Sequence, residues 1–238
     1  MKIGVIGGTG DMGRGLSVRL SLRHEVLIGS RSMERASTTA NNLNNYSKGF
    51  YGGDMKGVIR GTLNEEAIRE AELVIISLPA NISSEYLKSF KPLYTPEKVF
   101  VSTVVPMMRE KRLYYWTPLE DGQSKEMSTR SAAEVIQEVV NPSHVVTAFQ
   151  TVPASYLFNI DSLLNIDVLL AGDDESSLIK VGNIVRDIPN LRPLRVGPLK
   201  NAKFIESITP LLLNVSILND LRDPTIRIVP WKPASESE

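Results

Sequence analysis

A glycine-rich segment near the start of the chain has the residue types and spacing of a phosphate-binding turn. It follows a short apolar run, precedes an amphipathic one, and consists of Gly8, Thr9, Gly10, Asp11, Met12 and Gly13. In such a turn the first glycine makes the tight bend, the second admits a pyrophosphate close to the backbone, and the third packs a helix against a strand. Free amides at the helix N-terminus add partial positive charge. The segment predicts that residues 8–13 bind a dinucleotide.

The residues after the second apolar run indicate which dinucleotide binds. NAD-binding proteins of this kind carry an Asp or Glu about 20 residues beyond the turn, where it holds the ribose hydroxyls. Here Ser30 and Arg31 stand in that region, and Arg35 follows one helical turn later. A hydroxyl and two guanidinium groups suit a 2′-phosphate, which a carboxylate would repel. The alternative is that both arginines are solvated charges, but cations at a helix N-terminus oppose its dipole. We therefore predict NADP as the cofactor.

The elements that position these residues follow from the alternation of short β-branched runs with amphipathic segments. This alternation predicts an α/β fold, a Rossmann-type, mainly parallel, doubly wound sheet with a small C-terminal helical cap. The predicted strands cover residues 2–6, 25–29, 73–78, 99–101, 145–148 and 167–171, with a further candidate within 54–61. The predicted helices cover residues 13–22, 33–43, 131–140, 176–188 and 201–221.

We predict two domains from the same pattern. Residues 1–151 form the NADP-binding Rossmann domain, and residues 152–238 form a small C-terminal α/β cap with a dimerisation segment. In the last helix Pro210 is expected to produce a kink or to mark the first turn. Residues 205–218 are too apolar for a lone helix in so small a chain, which favours a two-fold homodimer. Residues 107–127 break the alternation and are interpreted as a long functional loop or an added excursion, containing Tyr114, Tyr115 and Trp116.

The composition argues against several other kinds of site. Basic and acidic residues balance at 27 each, so no attraction to nucleic acid or to an anionic membrane is predicted. Cysteine is absent, and His24 and His144 are too far apart for a short metal-binding motif. Residues 173–175 are all acidic, and we interpret them as serving a helix N-terminus rather than a metal. No apolar run is long enough to span a bilayer, and a cytoplasmic protein without a metal site is predicted.

Several short blocks along the chain extend the pattern beyond the glycine turn. The early ones are Gly7-Gly8-Thr9-Gly10 with Gly13 and Gly15, Gly29-Ser30-Arg31, Arg130-Ser131-Ala132-Ala133-Glu134 and Gly172-Asp173-Asp174. The late and more specific ones are Leu191-Arg192-Pro193-Leu194, Gly197-Pro198-Leu199 and Glu206-Ser207-Ile208-Thr209-Pro210-Leu211-Leu212-Leu213-Asn214. In this order, and to about Asn219, the chain resembles the coenzyme F420-dependent NADP oxidoreductases.

The resemblance implies a homodimer that transfers a hydride between NADPH and the 5-deazaflavin coenzyme F420. It also implies positions for both rings. The nicotinamide side is expected at Leu78, Pro79, Ala80, Val104, Val105 and Pro106. The deazaflavin side is expected at Gln150, Val152, Pro153 and Ala154 and at Ser207 and Thr209. Of these, Gln150, Ser207 and Thr209 are the candidate catalytic residues, although Ser207 and Thr209 also fit capping residues ahead of Pro210.

The chain departs from the family pattern at two places near the second substrate. Gln150 stands where the family has a histidine, so the side chain offers a neutral hydrogen-bond donor and cannot relay a proton. The segment between Pro106 and Arg130 is also longer than in the family. Two further functions stay open at this point: an NADPH-dependent reductase with a flavin, imine or carbonyl acceptor, and a non-catalytic NADP-binding sensor.

Overall fold

The computed structural model describes residues 1–119 and 130–229, along which strands and helices alternate. The strands are β1 (Lys2–Ile6), β2 (Glu25–Ser30), β3 (Val58–Leu63), β4 (Leu73–Ile76), β5 (Val99–Ser102), β6 (Met107–Glu110), β7 (Leu113–Trp116), β8 (His144–Thr147), β9 (Ile166–Gly172) and β10 (Leu191–Arg195). The helices are α1 (Asp11–Leu20), α2 (Met33–Tyr51), α3 (Asn64–Glu70), α4 (Ala80–Lys88), α5 (Ala132–Val140), α6 (Ala154–Phe158), α7 (Glu175–Arg186) and α8 (Ala202–Asn219).

A single large sheet has the strand order β10-β9-β8-β5-β4-β1-β2-β3. In the part of the sheet ordered β8-β5-β4-β1-β2-β3, all neighbouring strands are parallel. Strand β9 pairs antiparallel with β8, and β10 pairs parallel with β9. Strand β1 lies between β2 and β4, so the order of the chain reverses beside it. In open α/β sheets, ligands bind at the carboxyl ends of the strands next to such a reversal. The ends of β1, β2 and β4 are therefore the expected place for a site.

Apolar side chains cover both faces of this sheet, which is why its strands are short, continuous apolar runs. On one face Val5 and Ile28 pack with residues of α1 and α7. On the other face Ile6 and Leu27 pack with residues of α3 and α5. Helices therefore cover both faces, and the predicted doubly wound Rossmann-type sheet is confirmed.

The predicted strands and helices are present, and the structure adds helices α3, α4 and α6, which were not predicted. The candidate strand within residues 54–61 is β3, at Val58–Leu63. Helix α2 continues beyond residue 43 to Tyr51 and ends where Gly52 has a φ of 53°. Strand β10 was not predicted, because Pro193 and two arginines obscure its apolar residues. It is an edge strand, where a proline is tolerated because one side of the strand has no ladder partner.

The excursion predicted over residues 107–127 begins with regular structure. Strands β6 and β7 pair as an antiparallel hairpin that the sequence pattern did not indicate. Asn214 of α8 holds this hairpin with two hydrogen bonds to the backbone of Tyr114: its Oδ1 accepts from the amide at 2.7 Å, and its Nδ2 donates to the carbonyl at 2.8 Å. Residues 120–127 lie outside the described residues.

The C-terminal part of the described chain adds β9 and β10 to the same sheet and ends with α8. Ile205 of α8 packs against Leu169 and Ala171 of β9, so this helix is the predicted cap. Pro210 lies inside α8 and not in its first turn. The sheet continues across residue 151, and the division into two domains at that point stays a prediction. Among the described residues, no helix combines the length and apolar character needed to cross a membrane.

Candidate functional site

The turn after β1 has the geometry of a phosphate-binding loop, but the structural roles of its glycines differ from those predicted. Gly7, with a φ of 78°, makes the bend. Gly8, predicted to make it, instead packs closely on β2, since a Cβ there would lie 2.8 Å from Cγ2 of Ile28. Gly13, predicted to let the helix pack on the strand, packs α1 against the turn, because its Cβ would lie 2.6 Å from the Cα of Gly8. Each of these contacts leaves no room for a side chain.

Gly10 differs from these packed glycines. A Cβ there would meet a single neighbouring atom, the carbonyl oxygen of Gly7 at 3.3 Å. Its φ of −81° and ψ of 170° are available to any residue. Folding therefore requires a glycine at position 10 less strictly than at positions 8 and 13. A bound group that approaches the backbone closely does need one, and this space fits a pyrophosphate.

A cavity of about 260 Å³ opens beside this turn, at the carboxyl ends of β1, β2 and β4. It includes the predicted residues Thr9, Gly10, Ser30, Arg31, Arg35, Leu78 and Pro79, together with Gly7, Gly29, Asn64, Ser77 and Tyr86. None of these lining residues is acidic. The hydroxyl and two guanidinium groups stand where an NAD-binding site has a carboxylate, so the donor set fits a 2′-phosphate.

The fold holds Ser30 and the start of α2 in place around this cavity. Ser30 is 9% exposed at the end of β2, and its Oγ accepts a hydrogen bond from the amide of Ser32 at 3.2 Å. The Oγ of Ser32 in turn accepts from the amide of Arg35 at 3.3 Å and caps α2. Arg31 and Arg35 thereby face one cavity although three residues separate them.

A second cavity of about 340 Å³ lies beside Met12 in the first turn of α1. It is lined by the predicted residues Met12, Gln150, Val152, Pro153, Ala154 and Thr209, and also by Met107, Thr151, Ser155, Leu212, Leu213, Ser216, Asp223 and Pro224. Gly10 lines the first cavity and Met12 the second, so the start of α1 contributes to both. Gly10 and Met12 are two residues apart, so the cavities adjoin neighbouring parts of the same helix start.

Gln150 is buried, and its hydrogen bonds differ from those expected. Its Nε2 donates to the carbonyl oxygen of Ser102 at 2.7 Å and to the hydroxyl of Thr147. The donor that was expected to face the second ring is therefore used inside the protein. Its Oε1 is buried without a partner among the described residues. The side chain thus has an acceptor to offer, and a ligand group that meets it must be a hydrogen-bond donor.

The two hydroxyls expected beside Gln150 have different surroundings. Ser207 donates to the carbonyl oxygen of Lys203 one turn earlier in α8 and is not among the residues that line either cavity described above. Thr209 lines the second cavity, and its Oγ1 donates to the carbonyl oxygen of Gln150 at 2.8 Å. Neither residue caps the helix, because α8 begins at Ala202.

Other predicted residues lie away from these two cavities. Val104 is buried in the core with residues of α5, Pro106 is buried, and Val105 is half-buried. None of the three lines the first or the second cavity. Asp11 begins α1 and Ala80 begins α4, and neither lines these cavities.

Glu206 is a buried acid that sequence reasoning passed over, although it adjoins Ser207. It is 0% exposed, and it accepts hydrogen bonds from the amides of Ala132 at 3.0 Å and Ala133 at 3.1 Å and from Nε1 of Trp116 at 3.5 Å. Burial raises the pKa of its carboxyl to about 7, although these donors favour the ionised form. Glu206 therefore ties α8 to the start of α5 and to the hairpin.

Within the acidic run at residues 173–175, Asp174 serves the N-terminus of α7, as predicted, and the other two acids have different partners. Asp174 caps α7 by accepting from the amide of Ser177 at 2.7 Å. Hydrogen bonds from Ser177 and Ser176 lower the pKa of Asp174 to about 2. Asp173 accepts from the amide of Leu199 at 2.9 Å, and Glu175 pairs with Arg195 at 2.6 Å. Each of the three carboxylates has a protein partner.

Comparison with known proteins gives a consistent result. The family model described as "NADP oxidoreductase coenzyme F420-dependent" matches residues 2–106. The F420-dependent NADP reductase of Methanocaldococcus jannaschii is 33% identical over 233 residues, which cover 96% of this chain and 98% of that protein. The F420-dependent NADP reductase of Methanothermobacter marburgensis is 34% identical over 232 residues, with coverages of 96% and 98%.

A solved structure supports the fold. The crystal structure of a putative F420-dependent NADP-reductase from Arthrobacter sp. FB24 superimposes with a TM-score of 0.74 at 19% identity, covering 96% of this chain and 99% of that one. At this identity the likeness concerns the architecture alone. The sequence identities above extend over nearly the whole length of each partner. The chain therefore belongs to the family of F420-dependent NADP reductases.

Proposed function

We propose that this protein is an oxidoreductase that transfers a hydride between NADP(H) and coenzyme F420. The observation that carries the proposal is the position of the start of α1: its N-cap Gly10 lines an acid-free cavity, and Met12 in its first turn lines a second, largely apolar cavity. Two rings that exchange a hydride must lie face to face at a distance of about 3–3.5 Å. Two cavities lined by residues at the same helix start suit this requirement.

The first cavity would hold NADP through groups already in place. The space above Gly10 admits the pyrophosphate, and the amides at the start of α1 donate to it. Ser30, Arg31 and Arg35 would bind the 2′-phosphate. When bound, NADPH supplies the hydride, or NADP⁺ accepts it in the reverse direction.

The second cavity would hold the deazaflavin. Apolar side chains, among them Met12, Val152 and Leu213, line its walls and exclude water. Gln150 lines this cavity and its buried Oε1 has no partner among the described residues, so this oxygen would accept a hydrogen bond from a ring N–H that reaches it. Thr209 positions the backbone of Gln150 by donating to its carbonyl oxygen. Hydride transfer between two rings depends on ring orientation and exclusion of water more than on an acid or a base. These residues would orient the ring and exclude water.

Mixing the purified protein with NADPH and oxidised F420 tests the proposal directly. We expect loss of the F420 absorbance at a rate proportional to enzyme, and little or no rate with NADH. Flavin, imine and carbonyl acceptors run in parallel cover the other reductase functions. Turnover with one of these but not with F420 contradicts the proposed substrate, and tight NADPH binding without any turnover contradicts catalysis.

We also propose that the protein is a homodimer with α8 at the interface. Phe204, Leu211 and Leu218 are each more than 60% exposed on this helix. With Ile208 and Val215 between them they recur at alternating spacings of four and three residues, which is the spacing of a helix–helix seam. An apolar stripe of this length is costly to leave in water, and a two-fold axis lets it cover itself.

Sedimentation at micromolar concentration tests the assembly. We expect a dimer of the 26.3 kDa chain, and a monomer after the double change Leu211→Glu and Leu218→Glu. Ile179→Glu changes an exposed apolar residue of α7 and is the matched control. A monomeric wild-type protein contradicts the proposal. The cytoplasmic location and the lack of a nucleic-acid partner stay predictions from the sequence.

A further inference from the structure

Two polar side chains, Asn64 and Tyr86, line the first cavity, and no sequence motif pointed to either of them. Asn64 begins α3 and is 4% exposed, while Tyr86 comes from α4. The Nδ2 of Asn64 donates to the hydroxyl oxygen of Tyr86 at 2.7 Å. A buried amide in a cofactor cavity needs a physical reason, because its polar atoms lose water when the chain folds.

The acceptor side of Asn64 faces the protein. A Cβ on Gly29 would lie 2.5 Å from Asn64 Oδ1, so this oxygen rests against the backbone of β2. Oδ1 is buried and has no hydrogen-bond partner among the described residues. Position 29 requires glycine for this contact, which connects the Gly29-Ser30-Arg31 motif to a residue far along the chain.

The groups left over are donors. An amide nitrogen carries two hydrogens, and a tyrosine hydroxyl donates one hydrogen in addition to accepting. Asn64 donates one amide hydrogen to the Tyr86 oxygen. The second amide hydrogen of Asn64 and the hydroxyl hydrogen of Tyr86 stay available to a ligand. No acceptor for either is found in the described part of the chain. The Tyr86 ring is held edge-on against Phe90 at 5.2 Å, so its hydroxyl has a fixed place.

Donors alone select the kind of ligand group that they meet. The amino group of adenine would need an acceptor, but Asn64 Oδ1 is turned toward Gly29, and the Tyr86 oxygen already accepts from Asn64. A phosphate dianion accepts hydrogen bonds only, and the Ser30 hydroxyl and two guanidinium groups line the same cavity. We propose that Asn64 and Tyr86 are a neutral part of the 2′-phosphate site and help to determine the preference for NADP over NAD. This inference rests on the proposed function, which places NADP in the first cavity.

Titration calorimetry with NADPH and with NADH tests the proposal on the full-length protein. Tyr86→Phe removes one donor and keeps the ring. We expect NADPH to bind about tenfold more weakly, the effect of one hydrogen bond to a charged group, and NADH to bind within about twofold of wild type. Tyr115→Phe, on the hairpin, is the matched control and leaves both affinities unchanged.

Asn64→Asp provides a second variant of nearly the same shape. A carboxylate at this place accepts a hydrogen bond from the Tyr86 hydroxyl and repels the phosphate. We expect it to reduce NADPH affinity more than Tyr86→Phe does, again with little effect on NADH. A purely structural role for Asn64 predicts instead equal losses for both cofactors. Thermal unfolding of each variant shows that the fold is retained.

Three results overturn the proposal. Equal weakening of NADPH and NADH in Tyr86→Phe places the hydroxyl on a part that both cofactors share. Unchanged affinities in Tyr86→Phe show that the hydroxyl contacts neither cofactor. Equal affinities of the wild-type protein for NADPH and NADH overturn this proposal together with the cofactor assignment, whereas a wild-type preference of unchanged size in Tyr86→Phe overturns this proposal alone.

Discussion

The two cavities of this protein are assembled in different ways. The first takes most of its walls from residues next to strand ends, in the short segments 7–10, 29–35 and 77–79. The second is assembled from α1, the hairpin, residues 150–155, α8 and residues 223–224. The order of strands in the sheet therefore determines the first cavity. The second depends on how distant segments pack on one another.

The C-terminal segment shows how the second cavity is held together. Thr225 donates through Oγ1 to the carbonyl oxygen of Thr151 at 2.7 Å, and Ser155 donates to Asp223 at 2.7 Å. Further along, the buried ion pair between Arg192 and Asp167, at 2.7 Å, hydrogen-bonds to the backbone of Ile228. Side-chain contacts between remote residues thus form this wall, and single substitutions should change it without changing the first cavity.

The largest effect is expected from Gly10→Val. The backbone at this position accepts any residue, and a Cβ meets only the Gly7 carbonyl oxygen at 3.3 Å, which must shift by a few tenths of an ångström, so the protein should fold with a small loss of stability. The new side chain occupies the place of the pyrophosphate, and NADPH affinity should fall about a thousandfold, or about 4 kcal/mol. Calorimetry measures this, and Gly49→Ala, at an open position, is the control. Normal NADPH binding by Gly10→Val contradicts the placement of the pyrophosphate.

The next effect concerns the pH dependence of stability through Glu206. Because burial raises its pKa from 4.5 to about 7, the folded protein holds this proton more tightly than the unfolded chain does. The free energy of unfolding therefore decreases as pH rises from about 4.5 to 7, by about 3 kcal/mol, and then levels off. Denaturant unfolding at several pH values should show this slope in the wild type and lose it in Glu206→Gln. An identical slope in both proteins contradicts the assignment.

A smaller effect is expected from Arg31→Ala at the first cavity. The loss of one guanidinium should weaken NADPH binding by about 2 kcal/mol, roughly thirtyfold, and leave NADH binding nearly unchanged. The ratio of the two dissociation constants measures it directly. Arg23→Ala removes an exposed arginine elsewhere and serves as the control. An equal loss for both cofactors shows that Arg31 contacts a part common to them.

The smallest effect is expected from Thr209→Val at the second cavity. It removes the hydrogen bond to the carbonyl oxygen of Gln150 at nearly constant volume, a change of about 1 kcal/mol. The KM for F420 should rise several-fold while the dissociation constant of NADPH stays constant. Thr209→Ser keeps the hydroxyl and should have the KM of the wild type. A change in NADPH affinity instead shows that the two cavities are coupled.

Much of the first cavity was predictable from the sequence. The first cavity depends on local patterns: the glycine turn, the acid-free end of β2, and the alternation of strands and helices. Such patterns can be read from the sequence because backbone geometry fixes the spacing of residues in each turn, strand and helix. The same reasoning misassigned the bend to Gly8, since the spacing of glycines does not reveal which one has a positive φ. It also missed Asn64 and Tyr86, which meet only because α3 and α4 pack on the same face of the sheet.

The sequence by itself determined the Rossmann-type sheet, the NADP preference expected from Ser30, Arg31 and Arg35, and the family resemblance. Only the tertiary structure decided that Gln150 turns its donor inward, that Glu206 is buried among amides, and that the excursion begins as a hairpin fixed by Asn214. The physical reason is the distance along the chain over which each interaction acts. Periodicity and turn chemistry act between near neighbours in the chain, whereas the direction of a hydrogen bond depends on partners that packing brings from dozens of residues away.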